Sequence, residues 1–135
     1  MLEKGVMCMM GLQKLPEAEY ELMEIIWQLD PPVNTALIHE CIKRYKMKEW
    51  KPQTVLTLLN RMERRGFLCS QKIGKERLYT PLIERDEYLR FETASFMERF
   101  HKNSFASFVG SMYKGKEMKS EDLNELEDWL SRQEE

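Results

Sequence analysis

The sequence predicts a mainly α-helical fold with one small β-hairpin, arranged as an N-terminal domain followed by a C-terminal helical region. Apolar residues recur at helical spacing in three early segments, then alternate as in strands. Helical spacing with many aromatic residues resumes after Pro81. We therefore expect a folded domain over residues 13–83 and a helical dimerisation region over residues 84–135. Residues 1–12 are expected to be a flexible N-terminus.

The length of 135 residues suits one domain with an appendage, and a hydrophobic fraction of 42% is sufficient for a folded core. The three cysteines, Cys8, Cys41 and Cys69, lack the spacing of a metal site, which favours free thiols in a reducing compartment. No apolar run approaches the ~20 residues of a membrane span, so we expect a cytoplasmic protein without membrane insertion.

Proline and capping residues delimit the first two helices. Pro16 begins the first helix, which runs to about Leu29 and ends before the prolines at 31–32. Asn34 or Thr35 can cap the second helix. The residues expected to face the core are Leu22, Ile25, Ile26 and Leu29 in the first helix and Leu37, Ile38, Cys41, Ile42 and Tyr45 in the second.

The third helix has two faces of different chemistry. Pro52 suits its first turn, and Gly66 suits the position just beyond its last turn. One stripe is apolar and consists of Val55, Leu58, Leu59 and Met62. The opposite stripe is polar and consists of Gln53, Thr57, Asn60, Arg61 and Arg64. We therefore expect one face to pack on a core and the other to meet a polar, anionic partner.

Two short strands are expected after the third helix, over residues 67–73 and 76–80, with a turn at Gly74 and Lys75. Pro81 closes this unit. Three helices followed by a basic hairpin form the element order of a winged helix-turn-helix domain. In that arrangement the third helix enters the major groove of DNA, and the hairpin reaches the flanking backbone or the minor groove.

The net charge of −2 conceals a basic middle between two acidic flanks. Residues 43–77 carry 11 basic and 3 acidic side chains, net +8. Residues 1–42 carry 2 and 7, and residues 84–135 carry 8 and 13, so each flank has a net charge of −5. A solvated, charge-rich surface is the alternative interpretation. The coincidence of the basic block with a hydrogen-bonding helix face favours a local site for a polyanion.

Side-chain chemistry assigns roles on DNA. Glutamine can bond adenine at two points, and a threonine methyl can contact thymine. The residues expected to read bases are Gln53, Thr54 and Thr57. Basic side chains further along the helix and on neighbouring segments are expected to hold the DNA backbone, unless they are only solubilising charges. They are Lys43, Arg44, Lys51, Arg61, Arg64, Lys72, Lys75 and Arg77.

The C-terminal region is predicted to form helices over residues 84–102, around residues 105–112, and from Ser120 onward. Its apolar residues are too many to be buried on so small a domain, and a twofold homodimer is the commonest way to cover them. The alternative is that these helices fold back into a monomer core. The residues expected at the dimer interface are Tyr88, Phe91, Phe96, Phe100, Phe105, Phe108, Val109, Met112, Leu123, Leu126 and Leu130.

The sequence contains no pattern typical of a catalytic or metal site. His39 and His101 are the only histidines and lie far apart, and no phosphate loop, nucleophile elbow or metal quartet is present. Residues 7–10, Met-Cys-Met-Met, have the soft ligands that select Cu(I), but a disordered terminus is the interpretation we favour. We therefore expect no enzymatic activity, no cofactor and no bound metal.

Several segments resemble the penicillinase repressor family, which includes the methicillin-resistance repressor and the copper-responsive repressors. The resemblance covers about residues 13–133 and depends on the combination of its parts. The similar segments are residues 15–27 for the opening helix, 50–61 for the recognition helix, 79–82 for the wing exit, and 88–89, 107–109 and 120–126 in the tail.

The resemblance implies a repressor that binds an inverted-repeat operator in double-stranded DNA as a homodimer joined by its C-terminal helices. In the antibiotic-resistance branch, a membrane-bound sensor metalloprotease triggers cleavage in the dimerisation region. The bond aligns with Ser111–Met112, where that branch has asparagine and phenylalanine. The copper branch has paired cysteines near its C-terminus, whereas residues 104–135 contain none. Lys51 replaces the usual serine or threonine, which implies a weaker or replaced helix cap.

Two further functions are consistent with the sequence. A winged-helix domain can act as a protein-interaction module without specific DNA binding, although the basic third helix and hairpin argue against this. A regulator that senses a small ligand is the second, because the aromatic C-terminal region could enclose a pocket.

Overall fold

A computed structural model describes residues 12–45 and 49–133. The Met-rich sequence at residues 7–10 and almost all of the N-terminus predicted to be flexible lie outside the described residues. The chain forms two compact units, Met1–Glu92 and Thr93–Glu135. The division between them lies within a helix.

The first unit contains three helices and a small antiparallel sheet. In chain order its elements are α1 (Glu17–Trp27), β1 (Val33–Asn34), α2 (Thr35–Tyr45), α3 (Pro52–Arg64), β2 (Leu68–Ile73) and β3 (Glu76–Pro81). The strands lie in the order β1-β3-β2, and both pairings are antiparallel. The predicted fold class, mainly α with a small β-hairpin in a winged helix-turn-helix order, is confirmed.

The two-residue strand β1 is an addition that the sequence did not predict. Val33 pairs with Tyr79, and Asn34 pairs with Leu78. Asn34 also caps α2, because its Oδ1 accepts a hydrogen bond of 2.8 Å from the backbone N–H of Leu37. One of the two predicted capping residues is thus confirmed, and the same residue joins the helix to the sheet.

The core of the first unit lies between the helices and the inner face of the sheet. The predicted apolar stripe of α3 is buried in full, as are Leu22, Ile25 and Ile26 of α1. Leu29 is half-buried against the same core, and Met23 is buried although it was not predicted to be. The inward orientation predicted for Leu37 is wrong. The buried stripe of α2 is Ile38, Cys41 and Ile42, and Leu37 lies at its exposed edge. The side chain of Tyr45 lies outside the described part of the chain.

Helix α4 (Arg85–His101) begins inside the first unit. The Tyr88 side chain is only 2% exposed; its hydroxyl accepts a hydrogen bond from the Leu15 N–H at 2.8 Å and donates one to Glu92 at 2.6 Å. Trp27 Nε1 donates to the Ile83 carbonyl at 2.8 Å, and Arg85 pairs with Glu24 at 2.8 Å. These contacts hold the first turns of α4 and the residues just before them against α1.

The position of Tyr88 differs from the prediction, which assigned this residue to a dimer interface. Its ring is surrounded by Tyr20, Trp27, Phe67 and Phe91. The side chain is therefore covered within a single copy of the chain. Aromatic spacing alone predicted an unpartnered surface, because the sequence does not indicate that α1 lies against this part of α4.

The second unit contains the remainder of α4, α5 (Phe105–Lys114) and α6 (Ser120–Gln133). Lys102 and Asn103 adopt positive φ values of 51° and 62° in the turn after α4, and Ser104 then caps α5 by accepting a 3.0 Å bond from Ser107 N–H. From Thr93 to Gln133, no side chain is buried. Within the described parts of both units, no helix is long and apolar enough to cross a membrane.

Candidate nucleic-acid interface

Helix α3 is anchored by one face and exposed on the other. Its apolar stripe is buried, whereas Gln53, Thr54, Asn60, Arg61 and Arg64 are exposed and Thr57 is half-exposed. At 3.6 residues per turn, the residues opposite the buried stripe are Gln53, Thr57, Asn60 and Arg64. The helix therefore presents amide, hydroxyl and guanidinium groups on a rigid support.

The N-terminal end of α3 carries no side-chain cap. Lys51 occupies the N-cap position in an extended conformation, makes no capping hydrogen bond among the described residues, and precedes Pro52 in the first turn. The weaker cap predicted from Lys51 is confirmed. The N–H groups of Gln53 and Thr54 have no intrahelical acceptor, because they lie in the first turn. Together with the helix dipole they make this end of α3 favourable for an anion.

The hydroxyl of Thr57 is oriented by the helix itself. Thr57 Oγ1 donates a hydrogen bond of 2.9 Å to the Gln53 carbonyl, one turn earlier. Because threonine has only two heavy substituents on Cβ, fixing the hydroxyl also fixes the methyl group. A threonine held in this way is suited to an apolar contact, such as that made with a thymine methyl.

Three arginines at the end of α3 have two different environments. Arg61 and Arg64 are exposed. Arg65 Nε donates to Glu19 Oε1 at 2.8 Å, and its Nη1 donates to Gln13 Oε1 at 2.8 Å. Glu19 is only 2% exposed, so this ion pair fixes the end of α3 to the start of α1.

The wing, which we define as β2, β3 and their connecting turn, carries three exposed cations. Lys72 and Arg77 are directly paired across the two strands, and Lys75 lies in the turn. Gly74 has a φ of +64° at the first turn position, a conformation that favours glycine. Like charges placed opposite one another are unfavourable in a sheet, and a bound anion would relieve that repulsion.

The remaining predicted backbone-binding residues lie on α2 and before α3. Lys43, Arg44 and Lys51 are all exposed. Arg44 makes an i,i+4 contact with Glu40 at 3.5 Å, and about two thirds of each side chain is exposed. Exposed pairs of this kind are weak, so Arg44 can exchange Glu40 for a phosphate at little cost.

Two residues of the exposed face of α3 received no role from the sequence. Asn60 lies near the centre of the face and can bond adenine in the way that glutamine does. Its spacing in the sequence could have indicated this, since a residue seven positions after Gln53 lies on the same face of a helix. Leu56 is a partly exposed apolar residue at the edge of the face. No spacing rule distinguishes it from a core leucine, so its exposure follows only from the structure.

A cavity of about 140 Å³ lies in the first unit and is lined by Tyr20, Trp27, Arg85, Tyr88, Leu89 and Glu92. Its two charged side chains already have partners, because Arg85 pairs with Glu24 and Glu92 accepts a bond from Tyr88. The cavity therefore offers aromatic surface but no charged group awaiting a ligand. Elsewhere in the described residues, no cluster of three or more His, Cys, Asp or Glu side chains could hold a metal ion.

The residues predicted for the dimer interface, Tyr88 apart, divide into exposed and half-buried groups. The exposed residues are Phe96, Phe100, Phe105 and Leu130. Those that are half-buried are Phe91, Phe108, Val109, Met112, Leu123 and Leu126. Phe91 belongs to the first unit, where it packs beside Tyr88. Trp129 and Tyr113 were not predicted for this surface but are exposed on α6 and α5.

A profile of the family described as penicillinase repressor matches residues 15–132. The chain is similar to the penicillinase repressor of Bacillus licheniformis, with 32% identity over 119 residues that cover 87% of this chain and 90% of that protein. It is also similar to the methicillin resistance regulatory protein MecI of Staphylococcus aureus strain N315, with 26% identity, 88% of this chain and 94% of that protein.

Among solved structures, the solution structure of the DNA-binding domain of the repressor BlaI has 32% sequence identity and a TM-score of 0.48. The match covers 56% of this chain and 88% of that one. The family profile extends over both units, from the start of α1 into the last turns of α6. The resemblance found in the sequence is thus confirmed, and this chain belongs to the penicillinase repressor family.

Proposed function

We propose that this protein represses transcription as a homodimer that binds an inverted-repeat operator in double-stranded DNA, with α3 in the major groove and the wing on the flanking backbone. The observation that carries the proposal is the two-sided construction of α3. One face is locked into the core, and the other presents hydrogen-bonding groups flanked by exposed cations. Such a protein acts by occupying DNA in the cytoplasm and requires no catalytic group or cofactor.

Base readout would come from the first two turns of α3. Gln53 and Thr54 lie beside the uncapped helix end, where a recognition helix typically approaches base edges. Thr57 would present its methyl group to thymine, since its hydroxyl is bonded to the Gln53 carbonyl. Asn60, one turn further on, extends the same face towards a neighbouring base pair.

Backbone contacts would come from the exposed cations around this face. Arg61 and Arg64 continue α3, and Lys72, Lys75 and Arg77 belong to the wing. If five phosphates are neutralised by each protomer, the logarithm of the binding constant falls with the logarithm of salt concentration with a slope on the order of −9 for a dimer. Arg65 is excluded from this set because it is committed to Glu19 and Gln13.

The second unit would supply the dimer contact. Its helices leave large apolar side chains exposed, and a second copy of the same surface is the commonest way to cover them. Joining two modules raises affinity through effective concentration by a factor of about 10²–10⁴. Loss of that link would release the DNA, which makes the second unit the natural target for inactivation.

Inactivation would follow cleavage triggered by a membrane-bound sensor metalloprotease, with the bond Ser111–Met112 as the proposed site. Ser111 is exposed, but both residues lie within α5, and their carbonyls accept bonds from Gly115 and Glu117. The last turns of α5 must therefore unwind before the bond can be cut. Digestion with the sensor followed by mass mapping tests this; a cut outside residues 100–116 would rule out the proposed site.

The DNA-binding proposal is tested with duplexes selected from a randomised library by the wild-type protein. Thr57→Ser keeps the hydroxyl bonded to the Gln53 carbonyl and removes only the methyl group. We expect it to lose discrimination at one thymine, by about 5- to 10-fold, with an unchanged salt slope. Arg61→Ala is the complementary variant, for which we expect weaker binding to all sequences and a smaller salt slope.

Failure of the wild-type protein to enrich any sequence would contradict the proposal. It would favour a winged-helix module that binds protein. Equal effects of the two variants on sequence preference and on salt slope would instead contradict the division between base and backbone contacts.

A further inference from the structure

We propose that Glu63 and Ser70 are positioning residues that hold Arg77 of the wing in a fixed place relative to α3. The inference rests on the proposed DNA-binding function, since it concerns how the two DNA-contacting elements are kept in register. It assigns a role to an acidic side chain that lies among the basic side chains of α3 and the wing.

A chain of two hydrogen bonds joins the three residues. Ser70 Oγ donates to Glu63 Oε1 at 2.7 Å, and Arg77 Nη1 donates to Ser70 Oγ at 2.9 Å. Glu63 belongs to the last turn of α3, Ser70 to β2 and Arg77 to β3. One continuous set of bonds therefore connects the helix proposed to enter the major groove with both strands of the wing.

Strand geometry places these groups on the face of the hairpin that meets α3. Side chains alternate between the two faces of a strand, so Ser70 and Lys72 share a face, as do Arg77 and Tyr79. Ser70 is directly paired with Tyr79, which is fully buried. Cys69, the next residue along β2, points to the opposite face and is exposed.

The serine between the two charges leaves Arg77 available for DNA. A direct ion pair would engage the guanidinium with a carboxylate, whereas the serine hydroxyl accepts from only one of its five N–H groups. Arg77 remains exposed, so the other donors can reach a phosphate. The Glu63 carboxylate acts on Arg77 indirectly. It orients the Ser70 hydroxyl, and that hydroxyl orients the guanidinium of Arg77.

Preorganisation gives this arrangement a measurable effect. A long side chain that is ordered before binding loses less rotamer freedom when it contacts DNA. Without Ser70, Arg77 keeps its charge but must be ordered by the DNA itself. A dimer contains two wings, so we expect Ser70→Ala to weaken binding by about tenfold.

The experiment is a double-mutant cycle on full-length protein and a duplex selected by the wild-type protein. Ser70→Ala, Arg77→Ala and the double variant are compared, with thermal unfolding recorded for each. We expect the double variant to bind about as well as Arg77→Ala alone, because Ser70 acts only through Arg77. Cys69→Ser is the matched control from the same strand, and we expect it to bind as the wild type does.

Substitutions at Glu63 distinguish the effect of its hydrogen bond to Ser70 from the effect of its negative charge. Glu63→Gln keeps an oxygen that can accept from Ser70, so we expect it to retain the affinity of the wild type or to exceed it. Glu63→Ala removes the acceptor, and we expect a loss similar to that of Ser70→Ala. A purely electrostatic role would make the two Glu63 variants equal.

Two results would overturn the inference. Losses from Ser70→Ala and Arg77→Ala that add independently would show that the two residues are uncoupled. Equal affinities for Glu63→Ala and Glu63→Gln would show that the hydrogen bond has no role. Failure of the wild-type protein to select any DNA is a different outcome, since it overturns the proposed function along with the inference.

Discussion

The two units of this protein differ in how they cover their apolar side chains. The first unit buries leucines, isoleucines, methionines and aromatic rings from α1, α2 and α3, from the start of α4 and from the sheet. The second unit, between Thr93 and Gln133, buries none of its side chains, and it leaves Phe100, Phe105, Tyr113 and Trp129 more than half exposed.

The second unit does have internal organisation in spite of this exposure. Phe96 lies 5.1 Å from Phe100 and 6.2 Å from Phe108 between ring centroids, and His101 Nδ1 lies 2.9 Å from Ser107 Oγ. These contacts order the turn between α4 and α5, yet Phe96 and Phe100 remain exposed. The first unit therefore has a core of its own, whereas the second unit leaves its large apolar side chains accessible to the second copy proposed above.

The largest effect is expected from placing a charge on that surface. Phe105→Asp would bury a carboxylate in the proposed dimer contact, so we expect monomers and a loss of operator affinity of about 10²–10⁴-fold. Sedimentation velocity and gel shift measure the two effects. Leu89→Asp is the control, since Leu89 is similarly exposed but belongs to the first unit. A Phe105→Asp protein that remains dimeric would remove the second unit from the dimer contact.

A smaller effect is expected from trimming one leucine in each unit. Leu59 is fully buried, so Leu59→Ala should destabilise the first unit by about 2–5 kcal/mol at any protein concentration. Leu126 is half-buried in a single copy, so the effect of Leu126→Ala on melting temperature should be largest where the protein is dimeric and should shrink as dilution dissociates the dimer. Calorimetry at several concentrations distinguishes them. A Leu126→Ala effect that does not depend on concentration would mean that α6 is covered within one chain.

The smallest expected effect is on the free energy of unfolding at alkaline pH. It tests the burial of Tyr88 in the first turns of α4. Burial, together with the hydrogen bond to Glu92, raises the pKa of Tyr88. The folded state therefore favours the neutral phenol. The contribution of Tyr88 to stability is complete below the pKa of an unfolded tyrosine, near 10, and is lost as pH rises towards the higher pKa of the folded state.

Above pH 10 we expect the stability of the wild type to fall by about 1.4 kcal/mol per pH unit more steeply than that of Tyr88→Phe. Burial also raises the pKa values of Tyr20 and Tyr79, and their contributions remain in the variant. Denaturant titrations from pH 8 to pH 11 measure the difference. Parallel curves would show that Tyr88 is not held in the core as described.

Periodicity in the sequence was sufficient to locate α3, assign its two faces and place the hairpin turn at Gly74 and Lys75. Each of these features depends on residues that are close in the chain, since helix stripes, caps and two-residue turns are local. The weaker cap at Lys51 was implied by the family resemblance, and it too is a local feature because it depends on the residue at the end of the helix. The DNA roles of the exposed residues stay predictions, because exposure permits a contact without establishing one.

Which of the neighbouring arginines is held in an ion pair and which stays exposed could not be predicted from spacing. Arg64 and Arg65 are adjacent and chemically identical, yet Arg65 is held by Glu19 and Gln13 from the other end of the first unit. The partners of Tyr88 and Ser70 are likewise supplied by other elements. No local rule pairs residues that are so far apart in sequence.

The order of helices and hairpin, the buried stripe of α3 and the concentration of basic residues around it follow from local spacing and composition. Tertiary packing was needed to establish which arginines form ion pairs, which aromatic residues are covered, and how the wing is joined to α3. Those outcomes depend on which elements come into contact, and contact is fixed by the packing of the whole unit.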